Sequence, residues 1–191
     1  MNQNELYPVF LKVHQLNVLL VGGGQVAHEK LHFMLKSSPN AQVAVFATSF
    51  CDEIKVLAEQ HKVPLVYRPY GENLMHKKDL VIGATNDPEV NKEIYRDAKQ
   101  RQILVNIADT PELCDFYLGG IVTKGQVKIA ISTNGKSPTT AKRLRQFLEG
   151  IIPENISDLV SNLNRYRDKI KGNFEHKVST LNKITQTLIS E

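Results

Sequence analysis

An α/β fold built on a parallel sheet is predicted by three features of the sequence. Short apolar runs alternate with helical patterns between residues 17 and 107. The run Val18-Leu19-Leu20-Val21 is apolar throughout, as a strand buried on both faces must be. It passes directly into Gly22-Gly23-Gly24, and a helical pattern starts at once. Strand, tight turn and helix in that order open a βαβ unit.

Val9–Val13 reads as a short strand ahead of the main strand, Asn17–Val21. A helix follows from about Gln25 to Lys36. At ~100° per residue, Ala27, Leu31, Met34 and Leu35 share its inner face. Ser37-Ser38-Pro39-Asn40 ends it. Gln42–Phe46 is the second strand, and Asp52–His61 is a helix with Ile54, Leu57 and Ala58 inward. Val63–Tyr67 is the third strand and Leu80–Ala84 the fourth. Asp87 is placed to cap the next helix, with Pro88 at its first position. That helix turns Val90, Ile94 and Ala98 inward, and Ile103–Ile107 is the fifth strand.

The pattern changes after Asp109. Tyr117–Val122 and Val127–Ser132, around Lys124-Gly125, read as an antiparallel hairpin. Ser137-Pro138 opens a basic helix through Glu149, with Ser137 as its cap. Pro153 starts another, with Ile156, Leu159, Leu163, Tyr166 and Ile170 at steps of three and four. Gly172-Asn173 breaks it, and Phe174, Val178, Leu181, Ile184 and Leu188 repeat the stripe. The two helices read as an α-hairpin that buries its stripes mutually or against a partner chain. The expected division is residues 1–112, 113–150 and 151–191.

Of the 191 residues, 41% are hydrophobic and 23% charged, which excludes global disorder. No apolar run nears the length of a membrane span, and MNQNELYPVF lacks the signal-peptide pattern. No membrane partner is expected. Two cysteines, Cys51 and Cys114, fit a reducing cytoplasm. The net charge of +4 and the pI near 9.0 suit an anionic partner. The basic residues are spread out, which argues against nucleic acid.

Gly22-x-Gly24-x-x-Ala27 matches the dinucleotide fingerprint in its required strand-to-helix setting. Gly22 permits the sharp turn, Gly24 lets a pyrophosphate approach the backbone, and Ala27 lets the helix pack on the strand. The helix N-terminus then offers free N–H groups to phosphates. The acid usual about 20 residues on, which bonds the ribose, is replaced by Thr48-Ser49. NAD and NADP are therefore not separated by charge, although no arginine stands at that strand end to favour NADP.

Asp109 directly follows the fifth strand, on the edge where open parallel sheets bind ligands. Its carboxylate is either a proton acceptor beside a nicotinamide or a turn aspartate before Thr110-Pro111. Asn134-Gly135-Lys136-Ser137-Pro138 is either an anion site at a helix start or a capped turn, with Lys142, Arg143 and Arg145 following. His28-Glu29-Lys30-Leu31-His32 matches H-E-x-x-H but lies on a polar helix face, so no metal is expected. Tyr95 and Lys99 have reductase-like spacing without an upstream serine, and read as surface.

Several motifs in order, from Tyr7 to Glu149, resemble the precorrin-2 dehydrogenase family, the siroheme synthase N-terminal region. They are Tyr7-Pro8-Val9-Phe10, Val21 to Lys30, Ala84-Thr85-Asn86-Asp87 with Val90-Asn91, Asn106-Ile107-Ala108-Asp109, and Ser132 to Arg145 with Lys142 for an arginine. The resemblance implies a Rossmann-like domain, a small α+β dimerisation domain and C-terminal helices. It implies NAD-dependent oxidation of precorrin-2 to sirohydrochlorin, with Asp109 catalytic. Gln25, Val26, Thr48, Ser49, Ala84, Thr85 and Asn86 would join Gly22 and Gly24 in holding NAD. Ser132, Thr133, Asn134, Gly135 and Ser137 would hold the polycarboxylate tetrapyrrole. A homodimer is implied, and ferrochelation is a further activity of some members. The non-enzymatic alternative is a dimeric NAD-sensing module.

Overall fold

The structure is a computed structural model that describes residues 4–186. The chain divides into two compact units. The first runs to Gly119 and also takes in Ser132–Pro138. The second holds Gly120–Ile131 and the chain from Thr139 onward.

The first unit is a five-stranded parallel sheet. Its strands are β1 (Val18–Val21), β2 (Val43–Ala47), β3 (Leu65–Tyr67), β4 (Leu80–Gly83) and β5 (Leu104–Ile107), in the order β3-β2-β1-β4-β5. Val18 stands opposite both Val43 and Leu80, so β1 is bonded on both edges. Its residues alternate between two cores. Val18 and Leu20 pack with Leu31, Leu35 and Ile54 from α1 (Gln25–Ser37) and α2 (Asp52–His61). Leu19 and Val21 pack with Ile94 and Ala98 from α3 (Pro88–Gln100). The wholly apolar reading of β1 follows from this two-sided burial. The chain proceeds from β1 toward β3 in one direction and from β4 to β5 in the other. The strand order therefore reverses between β1 and β4, where open α/β sheets form their ligand crevice. Asp87 caps α3 as expected, accepting from the N–H groups of Glu89 and Val90.

Val9–Val13 forms no strand. Val9 and Phe10 are exposed, and among the described residues the only backbone bond that holds this stretch to the sheet is Gln42 N to Val13 O at 3.1 Å. Apolar β-formers make a strand only where an open sheet edge receives them, and none does here.

In the second unit, β6 (Gly120–Lys124) pairs antiparallel with β7 (Val127–Ile131). The turn is Gly125-Gln126, one residue later than the sequence suggested. Gly125 has φ +54°, and a Cβ there would lie 1.7 Å from Ser157 Oγ. That hydroxyl accepts from Gln126 N at 2.9 Å, and Lys124 pairs with Glu154. The turn is thus tied to the start of α5 (Ile156–Lys169). Between hairpin and α5 runs α4 (Pro138–Ile151); after α5, Gly172 at φ +123° and Asn173, which accepts from His176 N, start α6 (Phe174–Thr185). No residue of α4, α5 or α6 is buried. The stripe residue Leu188 lies outside the described residues. Among the described residues no helix is long and apolar enough to cross a membrane.

Candidate dinucleotide site

The glycine turn is stitched to the strand ends on both sides. Gly22 N donates to Phe46 O at 2.9 Å, Ala84 N to Val21 O at 2.7 Å, and Cys51 N to Gly23 O at 2.8 Å. Gly22 has φ +138°, and a Cβ on it would lie 2.2 Å from the Ala84 carbonyl oxygen. Gly23 is equally constrained, because its Cβ would lie 1.8 Å from Ser49 O. No local pattern accounts for Gly23, since its reason lies in a loop 26 residues further along. Gly24 differs from both: a Cβ there would meet nothing within 4 Å. The space above Gly24 is open, as the approach of a pyrophosphate requires.

Gly24 is also the N-cap of α1, with no side-chain capping bond and no acid in the first turn. The first N–H groups of α1 and its positive dipole end are left for an anion. Gln25 is held in place, its Nε2 donating to Glu53 Oε1 at 2.9 Å. A bond from its own backbone, then the one from Gln25, holds the Glu53 carboxyl below its ordinary value. Val26 is exposed beside it. Beyond the end of β2, Thr48 and Ser49 are exposed, and their hydroxyls make no hydrogen bond among the described residues. They are free to meet a ribose where an acid would ordinarily do so.

Beyond β4, Ala84 is buried against the glycine turn, while Asn86 is exposed. Thr85 between them turns its side chain inward. Its Oγ1 lies 2.8 Å from Asn91 Oδ1 and accepts from Asp87 N at 3.2 Å. The hydroxyl is therefore occupied within the loop, and the N–H and C=O of Thr85 are bonded to the Asn91 side chain, so Thr85 shapes the loop rather than offering a ligand a free polar group.

Asp109 lies just past β5, exposed at φ +58°. Ala108 N donates to Gly83 O at 2.8 Å, joining the turn to β4, and Thr110 N donates to Ile107 O at 3.2 Å. The left-handed conformation is uncommon for a non-glycine residue, although aspartate tolerates it better than most. Such conformations gather at functional sites. Cys114 holds the turn from behind, with Sγ 3.2 Å from Ile107 O and 3.3 Å from Thr110 O. Because β1, β2, β4 and β5 are parallel, Gly24, Thr48, Ala84 and Asp109 all follow the carboxyl edge of one sheet.

Ser132–Pro138 belongs to this same unit. Lys136 N donates to Thr133 O at 3.1 Å, with Asn134 and Gly135 both at positive φ, +55° and +72°. Asn-Gly at those two positions is the signature of a type I′ turn. Thr133 Oγ1 accepts from Ser137 N at 3.2 Å, and Ser132 Oγ accepts from Asn134 N at 3.1 Å. A Cβ on Gly135 would meet nothing within 4 Å, so the tip is open.

Two further motif matches lie on α1 and α3. His28 and His32 face each other on α1 with ring centroids 6.0 Å apart. Among the described residues, no three His, Cys, Asp or Glu side chains gather where they could hold a metal ion. Lys99 pairs with Asp115 at 2.6 Å, and Tyr95 packs on the α3 core.

The family model described as "Putative NAD(P)-binding" matches residues 9–120, and that described as "Sirohaem biosynthesis protein central" matches 124–150. Siroheme synthase of Pseudoalteromonas atlantica is 36% identical over 170 residues, covering 89% of this chain and 36% of its own length. That of Psychrobacter cryohalolentis is 37% identical over 175 residues, covering 92% of this chain and 32% of its own. The chain thus spans about a third of the length of the curated relatives it matches. Among solved structures, "SirC, precorrin-2 dehydrogenase" superposes with a TM-score of 0.77 at 24% identity, covering 94% of this chain and 89% of that one, and confirms the fold. With one family model spanning more than half of its length and a second following in order, the chain belongs to the siroheme synthase N-terminal family, built on an NAD(P)-binding domain.

Proposed function

We propose that the chain is an NAD-dependent precorrin-2 dehydrogenase, forming sirohydrochlorin on the way to siroheme. The observation that carries this reading is the sheet edge itself. An open glycine turn, two free hydroxyls and a positive-φ aspartate all follow the carboxyl ends of neighbouring strands. The names of the siroheme synthases and of the SirC structure supply the substrate class.

The N–H groups of α1 and the Gly24 backbone would hold the pyrophosphate, Thr48 and Ser49 a ribose, and the Ala84–Asn86 loop would wall the remaining edge. NAD, when bound, accepts a hydride. Asp109 takes the accompanying proton from the macrocycle and releases it to water, so that precorrin-2 and NAD give sirohydrochlorin, NADH and a proton. The Ser132–Ser137 turn receives substrate carboxylates through its backbone and hydroxyls, as the net charge of +4 favours. Residues 1–112 form the cofactor domain in this reading, 113–150 the substrate and dimerisation segment, and 151–191 a helical extension. The working unit is a cytoplasmic homodimer, in keeping with the free thiols of Cys51 and Cys114.

The test is anaerobic. Purified protein, NAD and enzymatically generated precorrin-2 are followed for NADH formation and for the absorbance of sirohydrochlorin. Catalysed formation of both is expected. NAD binding without turnover would overturn the dehydrogenase and favour a sensing module.

A further inference from the structure

Asn91 stands on the inner side of the first turns of α3 and is engaged with a single residue across the loop. Its Oδ1 accepts from Thr85 N at 3.3 Å and faces Thr85 Oγ1 at 2.8 Å. Its Nδ2 donates to Thr85 O at 3.1 Å. One side-chain amide thus grips both backbone polar groups of Thr85 as well as its hydroxyl. The close approach uses the bare backbone of Gly83, where a Cβ would come within 3.5 Å of Asn91 Oδ1 and 2.6 Å of Ile107 Cδ1. Nothing else among the described residues bonds the N–H or C=O of Thr85.

Thr85 is joined by one peptide bond to Ala84, and the Ala84 carbonyl oxygen is the atom that a Cβ on Gly22 would strike at 2.2 Å. Asn91 is thus linked through Thr85 and Ala84 to the close backbone approach at the glycine turn. A shift of Thr85 moves the carbonyl that walls the turn. We infer that Asn91 is the positioning residue of the cofactor site: acting through Thr85, it fixes the β4 loop in the shape that receives the dinucleotide. This rests on the reading of the Gly24 crevice as the NAD site. It needs no substrate turnover for its test, because binding alone reports it.

The experiment is titration of the full chain with NAD and with NADH, by calorimetry and by NADH fluorescence, for wild type, Asn91→Ala, Asn91→Asp and the neighbouring surface change Lys92→Ala. Asn91→Ala removes all three contacts. The expected result is a Kd for both nucleotides raised about tenfold, the scale of one or two lost hydrogen bonds. Lys92→Ala is expected to bind as wild type does, since Lys92 only pairs with exposed Glu89. A folded Asn91→Ala that binds within twofold of wild type would overturn the inference. Should Asn91→Ala fail to fold, Asn91→Asp decides. It keeps the acceptor and the volume but cannot donate to Thr85 O when ionised, so full affinity in that variant would also overturn the inference. Failure of wild type to bind either nucleotide would overturn the NAD-site reading and the inference together.

Discussion

Asn106 and Cys114 are joined side chain to side chain, Nδ2 donating to Sγ at 3.3 Å, and the same amide donates to Phe116 O at 2.8 Å. Cys114 shares its one proton between the carbonyls of Ile107 and Thr110, the two residues that bracket the Ala108-Asp109 tip. The buried asparagine therefore anchors the thiol, and the thiol closes the turn that presents Asp109. Cys114→Ala is expected to cost about 1 kcal/mol of stability, the usual net worth of such a bond. It should also lower kcat while leaving the Kd for NAD unchanged, with Cys114→Ser nearer to wild type. Thermal melts and steady-state kinetics test this; full turnover by Cys114→Ala would remove the brace from the account.

Asp109 itself is best tested by Asp109→Asn. Asparagine also tolerates the left-handed conformation at φ +58°, so the turn survives while the proton acceptor is lost. The expected loss in kcat is on the order of 10²–10⁴, with NAD affinity retained. Asp109→Ala would mix this loss with backbone strain of about 1 kcal/mol or more. Turnover by Asp109→Asn at the wild-type rate would make the carboxylate a turn residue only.

Gly23 and Gly24 are adjacent and are expected to fail differently. Gly23→Ala drives a Cβ toward Ser49 O, a backbone atom with little room to move. Overpacking of that kind costs about 1–3 kcal/mol, and the melting temperature should fall accordingly. Gly24→Ala points into open space at an ordinary extended conformation, φ −96° and ψ −168°. It should cost less than about 1 kcal/mol as a poorer cap yet weaken NAD binding more than tenfold. If Gly24→Ala binds NAD as wild type does, the open space is not the pyrophosphate site.

Much of this was legible in the sequence because the deciding physics is local. The apolar run Val18–Val21, the helical periodicity after it and the Asp87-Pro88 cap each report their structure within a few residues. Val9–Val13 failed because strand formation needs a partner edge, which no local pattern supplies. The hairpin turn moved to Gly125-Gln126 because Ser157, 31 residues from Gln126, holds that amide. The turn geometry at Gly22, the open space at Gly24 and the placement of Asp109 just past β5 were legible from spacing and position. The constraint on Gly23, the occupation of the Thr85 hydroxyl and the Asn106–Cys114 brace all depend on groups brought together by the fold.

Stability should decline on the alkaline side. Burial first, then its bond to Asp97 at 2.7 Å, raises the Tyr70 phenol well above its ordinary value, and burial raises the Cys114 thiol. Both groups bind protons more tightly in the folded chain than in the unfolded one. Their contribution is complete below the ordinary values of 10.0 and 9.0 and is lost as pH rises toward the folded ones. Melting temperatures between pH 7 and 11 should fall from about pH 9 upward. Tyr70→Phe should be less stable at pH 7 by about 1–3 kcal/mol, because Asp97 loses its donor, and should show a shallower alkaline slope. An unchanged slope in that variant would place the alkaline loss elsewhere.

The second unit gives the clearest prediction about assembly. Its helices carry amphipathic stripes, yet Leu144, Phe147 and Ile151 of α4 are 44%, 62% and 57% exposed, at steps of three and four along one face. Phe174, Val178 and Ile184, at steps of four and six, are likewise exposed on α6. Val122 is the one buried apolar residue of this unit among the described residues. A helical stripe of this kind is stable when it is covered, and a second copy of the same unit offers matching stripes under two-fold symmetry. Sedimentation velocity at micromolar concentration should find a dimer. Phe147→Asp would place a charge in such an interface and should shift the protein to monomer. NAD affinity should be kept, because the nucleotide crevice is built in the first unit. A wild-type monomer, or a Phe147→Asp dimer of unchanged affinity, would mean that α4 is not the face on which the copies meet.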